Sequence, residues 1–219
     1  MDEIRPILTV DVVLFTIRGS DLCVALQRRD REPFAGRPAL IGGYVHVDED
    51  ADTLATAGRV LRDKAGLAGL FLEQLATFSG PGRDPRGWSA SVAYYALVPE
   101  ARLAPVLERG SEIVPVEAIP PLPFDHERIV AAGVRRLRNK GAWSSLPAFL
   151  LPEHFTLPQL REIYEVVLGM ALNDSAFRRK IDELQVIEPV AGAFSRASDR
   201  PARLYRLRQE ALQEFNRMV

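Results

Sequence analysis

DEDADTLATAGRVLRDKAGL, residues 48–67, decides how the first half of this chain is read. Its acidic residues come first. Leu54, Ala57, Leu61 and Ala65 then recur at helical spacing, and Gly66 closes the run. That is a helix with an acidic N-terminus and a glycine stop. Residues at i, i+3 and i+4 share one helix face, so Val60, Asp63 and Lys64 project together. One carboxylate beside an ammonium and two methyls is a poor site for Mg²⁺, which takes several oxygen ligands.

The flanks of this helix are strands and Gly/Pro loops. LTVDVVLFTI (8–17) and LCVALQRR (22–29) are β-rich runs split by the turn RGSD, the pattern of a hairpin. REPFAGRPALIGGYV (31–45) leads through a short apolar piece into the pair Gly42-Gly43. LEQLATFS (72–79) and SASVAYYALVP (89–99) are further strands, joined by GPGRDPRGW (80–88). Tyr94 and Tyr95 alternate across the second, so one of them is expected in the interior. Two loops offer arginine on frames of glycine and proline: Arg28 and Arg37 in the first, and Arg83 and Arg86 with Asp84 in the second. Arginine suits bidentate contact with phosphate, and glycine permits close backbone approach. Alone, such arginines are ordinary loop charges.

Composition bounds the rest. The chain has 219 residues and a net charge of -1, so any surface for nucleic acid or membrane must be local. Its one cysteine, Cys23, excludes an intramolecular disulfide and fits a reducing cytosol. In LCVAL it reads as core, not nucleophile. No apolar run is long enough to span a bilayer. His46, His126 and His154 lack the spacing of a zinc site.

From Pro120 the texture changes. FDHERIVAAGVRRLRNK (124–140) is amphipathic. Asp125 stands at its cap and Ile129, Val130, Val134 and Leu137 form its apolar face. Beyond the connector GAWSSLPAFLLPEHF come two helices, TLPQLREIYEVVLG (156–169) and SAFRRKIDEL (175–184), then two strand-like runs. Thr156 and Gln159 form a capping box, with Pro158 in the first turn. Phe177, Ile181 and Leu184 face one way. Helix, turn, helix and a two-stranded ribbon is the order of a winged helix-turn-helix. From Ala176 to Arg208 there are eight basic residues and four acidic ones, a local excess of positive charge in a chain of net charge -1. Phosphate contact requires such a stripe. Ser175, Arg178, Arg179 and Lys180 lie in the first turns of the second helix, the part that enters a major groove. SRASDRPAR places Arg196, Arg200 and Arg203 at the ribbon tip, suited to backbone or minor-groove contact. Thr156 joins this candidate DNA-contact set. A solvated face on a docking domain is the competing explanation.

GGYVHVDEDADTLATAGRVLRDKAGL (42–67) resembles the Nudix box, G-x5-E-x7-R-E-U-x-E-E-x-G-U with U aliphatic. Gly66 and Leu67 take the final pair, Leu61 the middle aliphatic and Arg59 the arginine. The three helical glutamates fall on Val60, Asp63 and Lys64. The glycine pair comes two residues early, and Asp48-Glu49-Asp50 sits near the place of the first glutamate. With the winged-helix pattern behind it, nearly the whole chain resembles the NrtR family of Nudix-related regulators of NAD metabolism. The resemblance implies an α+β protein: an N-terminal Nudix-like mixed sheet with helices, residues 1–147, and a C-terminal winged helix-turn-helix domain, residues 148–219.

It further implies a cytoplasmic repressor that binds operator DNA as a homodimer. Its effector would be ADP-ribose or a related NAD-derived nucleotide, held near Arg28, Arg37, Gly42, Gly43, Lys64, Arg83, Asp84 and Arg86. With the box degenerate at Arg59, Val60, Asp63 and Lys64, no catalytic residue, metal or cofactor is expected. Lys64 is a candidate substitute for the metal, or a solvated surface lysine. The alternatives are a Nudix hydrolase of ADP-ribose or a related nucleoside diphosphate, working with Glu49, Asp50 and Asp63, and a binding module that docks protein.

Overall fold

Eight consecutive buried positions make the first strand a central one. The computed structural model describes residues 5–195, 201–209, 211–216 and 218–219. Strand β1 (Ile7–Arg18) is buried from Val10 to Ile17. Such a continuous run means that both faces of the sheet are covered. β1 runs parallel to β6 (Ser89–Leu97), which pairs antiparallel with β5 (Phe71–Gly80). On the other side lie β2 (Asp21–Arg28) and the short β3 (Pro38–Ala39). β4 (Ile41–Tyr44) pairs with β1 from Thr9↔Tyr44 to Val12↔Ile41, and β7 (Ser111–Pro115) pairs with β2. The seven-stranded mixed sheet contains the expected hairpin. The sequence reading missed β3, β4 and β7. Each is five residues or fewer, too short to show a period of two.

Helix α1 (Thr53–Val60) starts at Asp52, whose carboxylate accepts from Ala55 N at 2.7 Å. It continues as a π turn, Leu61–Ala65, and stops at Gly66, which is left-handed at φ 68°. Ala57, Val60, Leu61 and Ala65 pack on Val10, Val12 and Leu14. Leu54, expected on that face, is 48% exposed, and Val60 takes its place in the core. The opposite sheet face holds Val13 and Phe15 under helix α3 (His126–Gly141). A Cβ on Gly133 would stand 3.0 Å from the Phe15 ring, so the helix lies close. With a helix on each face, both Tyr94 and Tyr95 are buried rather than one. α2 (Ala104–Glu108) completes the layer beside α1.

The described chain forms two compact units. The first comprises residues up to Thr16, Cys23–Val98 and Arg102–Val134; the second takes Ile17–Leu22, Pro99–Ala101 and the chain from Arg135 onward. In the second, α4 (Leu157–Leu168) opens with the expected capping box and Pro158, and ends at left-handed Gly169. α5 (Asp174–Leu184) is capped by Asn173, which accepts from Ala176 N at 3.0 Å. β8 (Ile187–Ser195) and β9 (Ala202–Leu207) form the ribbon. Leu160, Tyr164, Phe177, Ile181 and Ile187 share one core with Phe155 and Phe215. No helix among the described residues is long and apolar enough to cross a membrane.

Candidate functional site

The first unit holds a cleft of about 810 Å³, within the usual range of small-ligand pockets. Its wall is β4, the end of α1 with its π turn, and the loops around 28–32, 83–86 and 109–110. Eight Lys and Arg line it against five Asp and Glu, an excess of three positive charges in a chain of net charge -1. That favours an anion.

Arg59 braces the floor. Its Nε and Nη2 donate to the two oxygens of Asp50 at 2.8 and 2.7 Å, and Nη2 also donates to Tyr44 O at 2.9 Å. Asp50 accepts further from His46 N and Thr56 Oγ1, both at 2.9 Å. The Arg59 hydrogen bond, chiefly, holds the Asp50 carboxyl well below the usual carboxylate range. Asp50 therefore locks the 46–50 turn onto α1. It is not a free acid for hydrolysis. Sequence spacing put Asp48-Glu49-Asp50 near the place of the box's first glutamate; of these, Asp50 is the one that Arg59 grips, with Glu49 at 3.7 Å.

The three box positions diverge. Val60 is 1% exposed, and its Cγ2 lies 3.1 Å from where a Gly43 Cβ would stand. Asp63 is exposed and pairs with Arg62 at 3.5 Å. Lys64 Nζ donates to Gly42 O at 2.6 Å, on the cleft side of β4. Desolvation pushes the lysine's pKa down, against the pull of Asp30 and Asp11. Gly42 itself admits no side chain, because a Cβ would stand 2.2 Å from Asp11 Oδ1 and 2.8 Å from Val10 O. Among the described residues, no group of three His, Cys, Asp or Glu is placed to hold a metal ion.

The second loop splits in two. Arg83 is buried. Its Nε and Nη2 grip Asp125 at 2.8–3.2 Å, Nη1 reaches Ser89 Oγ at 3.3 Å and Nη2 reaches Asp11 at 3.5 Å. Its donors are thus committed to protein partners, contrary to the expectation of an open phosphate clamp. Asp125, expected as a helix cap, accepts from that arginine through both carboxylate oxygens. Asp84 is buried too, and accepts from Arg86 N, Nε and Nη2 at 2.6–3.0 Å. Burial, the largest single effect, raises the Asp84 pKa, but the hydrogen bonds and charge of Arg86, with the charge of Arg83, together outweigh it and lower it, so Asp84 positions Arg86 rather than meeting a ligand. Arg86 extends over the ring of Tyr44 and donates to its hydroxyl. In the first loop, Arg28 lines the cleft but bonds to Glu112 at 2.8 Å and to Gly36 O at 3.1 Å. Arg37 donates to Pro121 O at 2.8 Å and does not line the cleft, which corrects its assignment as a ligand contact.

Several lining residues escaped the sequence reading: Asp11, Arg29, Tyr44, Arg109, Phe124 and His126. For Asp11 the signal was there, a single carboxylate in the apolar run LTVDVVLF. It accepts from Ser91 Oγ at 2.6 Å. His126 accepts from Leu40 N through Nδ1 at 3.1 Å, which leaves the proton on Nε2, 3.5 Å from Asp11 Oδ1. Burial lowers its pKa, outweighing the pull of Asp11 and Asp125; Arg83 and Arg29 add to the lowering. A folded-state histidine pKa below the unfolded 6.5 means the unfolded chain takes the proton first as pH falls. Stability is therefore full above about pH 7 and declines as pH falls through 6.5 toward the folded value. His126→Asn, whose amide oxygen can replace Nδ1, is expected to flatten the fall in thermal midpoint between about pH 7 and 5.5. Equal slopes in both proteins would show that another group drives it.

In the second unit Ser175, Arg178 and Arg179 are exposed on α5, and Lys180 is half-buried. Arg178 Nε donates to Asp174 at 2.9 Å, so part of its charge is neutralised. Arg203 is exposed on β9, whereas Arg206 pairs with Glu188 at 2.7 Å. Arg196 and Arg200 lie outside the described residues. Thr156 is 7% exposed and both its N–H and hydroxyl serve the capping box, which removes it from the DNA-contact set.

A mixed sheet with a glycine-stopped helix against its cleft, followed by a winged helix, defines a Nudix-like domain joined to a DNA-reading module. Residues 147–207 match the model of the NrtR DNA-binding winged helix domain. Over 98% of its length the chain is 37% identical to the ADPR responsive transcriptional repressor NtrR of Acinetobacter baylyi, covering 86% of that protein. It is also similar to Shewanella oneidensis NrtR complexed with a 27mer DNA, with a TM-score of 0.88 and 32% identity over 97% of this chain and 99% of that one. The Nudix domain of the same Shewanella protein, complexed with ADP ribose, matches 61% of this chain and 90% of that one at 34% identity and a TM-score of 0.55. The chain belongs to the NrtR family.

Proposed function

We propose that this chain is a transcriptional repressor that senses ADP-ribose, or a related NAD-derived nucleotide, in its cleft and binds operator DNA through its winged helix. One observation carries the reading: a cleft with an excess of positive charge, and among the described residues no group of three His, Cys, Asp or Glu placed to hold a metal, shares a chain with a winged helix. The relatives that bind ADP ribose and DNA support it. The sensing part is assigned to residues 1–147 and the reading part to 148–219. The protein acts in the cytoplasm as a homodimer, since such helices read paired half-sites. It holds its effector without hydrolysing it. Val60 is apolar and buried, Asp50 is locked by Arg59, and Lys64 stands where a carboxylate would be needed.

Effector binding changes DNA affinity only by its differential affinity for the two states, about 1.4 kcal/mol for each factor of ten. The test is fluorescence anisotropy on DNA from upstream of the protein's own and neighbouring genes, at fixed salt, titrated with ADP-ribose. Selective binding that shifts at least about tenfold is expected. Selective binding indifferent to saturating ADP-ribose would overturn the effector, and AMP release with Mg²⁺ would overturn the non-catalytic assignment.

On the reading head, Arg178→Ala with Arg179→Ala is expected to weaken operator and random DNA together. Each lost phosphate contact should flatten the slope of log K against log salt by about 0.9. An unchanged slope would remove these two arginines from the interface.

A further inference from the structure

We propose that Lys64 is the built-in cation of the cleft, so that the site receives a nucleoside diphosphate without a divalent metal. The inference rests on reading the cleft as a nucleotide sensor and names how that sensor holds its anion. Lys64 is an exposed residue, yet its ammonium is tied to the strand. Its Nζ is fixed on Gly42 O at 2.6 Å. The strand beside it is bare backbone, since a side chain at Gly42 would strike Asp11 and the carbonyl of Val10. An ammonium held there by one hydrogen bond keeps two donors for phosphate oxygens. It also stands in the last turn before the left-handed Gly66, where the helix's terminal carbonyls favour a cation.

The neighbouring positions exclude a metal on chemical grounds. Mg²⁺ keeps an octahedral set of oxygens. Val60, one turn before Lys64, presents methyl groups and is packed under Gly43. Asp63 is a lone carboxylate, turned to Arg62 at 3.5 Å. A divalent ion placed beside Lys64 would meet repulsion and at most one anionic ligand from this turn. An ammonium neutralises a phosphate but does not generate a bound hydroxide as a metal does. The substitution thus gives binding without turnover, which is what a sensor of an intact nucleotide requires. The cost of desolvating the ammonium, which lowers its pKa, is offset by the charge of an anion that arrives beside it.

The test is calorimetric titration of the full chain with ADP-ribose and, separately, with ADP, in EDTA and in millimolar Mg²⁺. Wild type is expected to bind with the same Kd, within about twofold, in both. Lys64→Gln should weaken binding at least about tenfold with an unchanged thermal midpoint, a loss of at least about 1.4 kcal/mol. Lys64→Arg, which keeps the charge, should retain most of the affinity. Lys64→Glu, which sets a second carboxylate beside Asp63, should bind poorly in EDTA and recover in part with Mg²⁺. Wild-type binding that EDTA abolishes would overturn the proposal, as would a Lys64→Gln protein with wild-type affinity. ADP bound in EDTA by wild type but not by Lys64→Gln, with ADP-ribose ignored, would uphold the lysine's role and sink the ADP-ribose assignment. No binding of either nucleotide with or without Mg²⁺ would sink both.

Discussion

Arg83→Ala is expected to lower the stability of the first unit by about 3–5 kcal/mol, because it leaves two buried carboxylates without their shared cation. The Arg83 side chain is 6% exposed, and those of Asp11 and Asp125 are 9% and 8%. Water cannot replace the guanidinium at such depth. In a chain of this size each kcal/mol shifts the midpoint by about 2–4 °C, so scanning calorimetry should show a fall on the order of 10 °C. Arg83→Lys should lie between, since an ammonium keeps the charge but cannot fork across Asp125 while also meeting Ser89 and Asp11. A fall under about 3 °C for the alanine variant would mean that the carboxylates find other partners or take up protons. The same variant separates two roles for Arg83. Loss of ADP-ribose affinity alone, at unchanged stability, would return it to the phosphate-binding set that its sequence context suggested.

Phe177→Ala is expected to cost the second unit about 3–5 kcal/mol, the range for emptying a buried aromatic position. Phe177 is 3% exposed and sets its ring edge to face against Tyr164, with centroids 5.5 Å apart. That pair joins α5 to α4, while the Tyr164 hydroxyl donates to Ser144 O at 2.8 Å. Without the ring, α5 loses the contact that orients Arg178 and Arg179, which sit on the face away from the core. Operator binding should fall at least about a hundredfold, whereas ADP-ribose affinity should stay near wild type, because the cleft is lined wholly by the first unit. Phe177→Leu should be milder, since it fills most of the volume. Operator affinity unchanged in the alanine variant would show that α5 is not the element read into DNA.

Much of the architecture was legible before any coordinates. The stop at Gly66 and the capping box of Thr156 and Gln159 are local features. They depend on residues within a turn or two of each other, so periodicity and cap chemistry found them. The order of helix, helix and ribbon followed from the same signals. The glycine pair, Lys64 and Arg86 were marked as cleft residues because loop glycines and box spacing are also local. Leu54 was misplaced for the opposite reason. On an eight-residue helix, one turn of apolar residues fits more than one face, and the sheet chose Val60.

What the sequence by itself determined, then, is the α+β division, the element order and the loss of a metal-binding set of carboxylates from the helix at 59–67. Each is written in residue types a few positions apart. The tertiary structure alone decided which charges are available. Arg83 meets Asp11 across 72 residues and Asp125 across 42, Arg37 meets Pro121 across 84, and Lys64 meets the Gly42 carbonyl across 22. A loop arginine looks the same in sequence whether its partner is a phosphate or a buried carboxylate. Only the packing of distant strands, by removing water from some of these pairs and not others, separates the brace from the binding site.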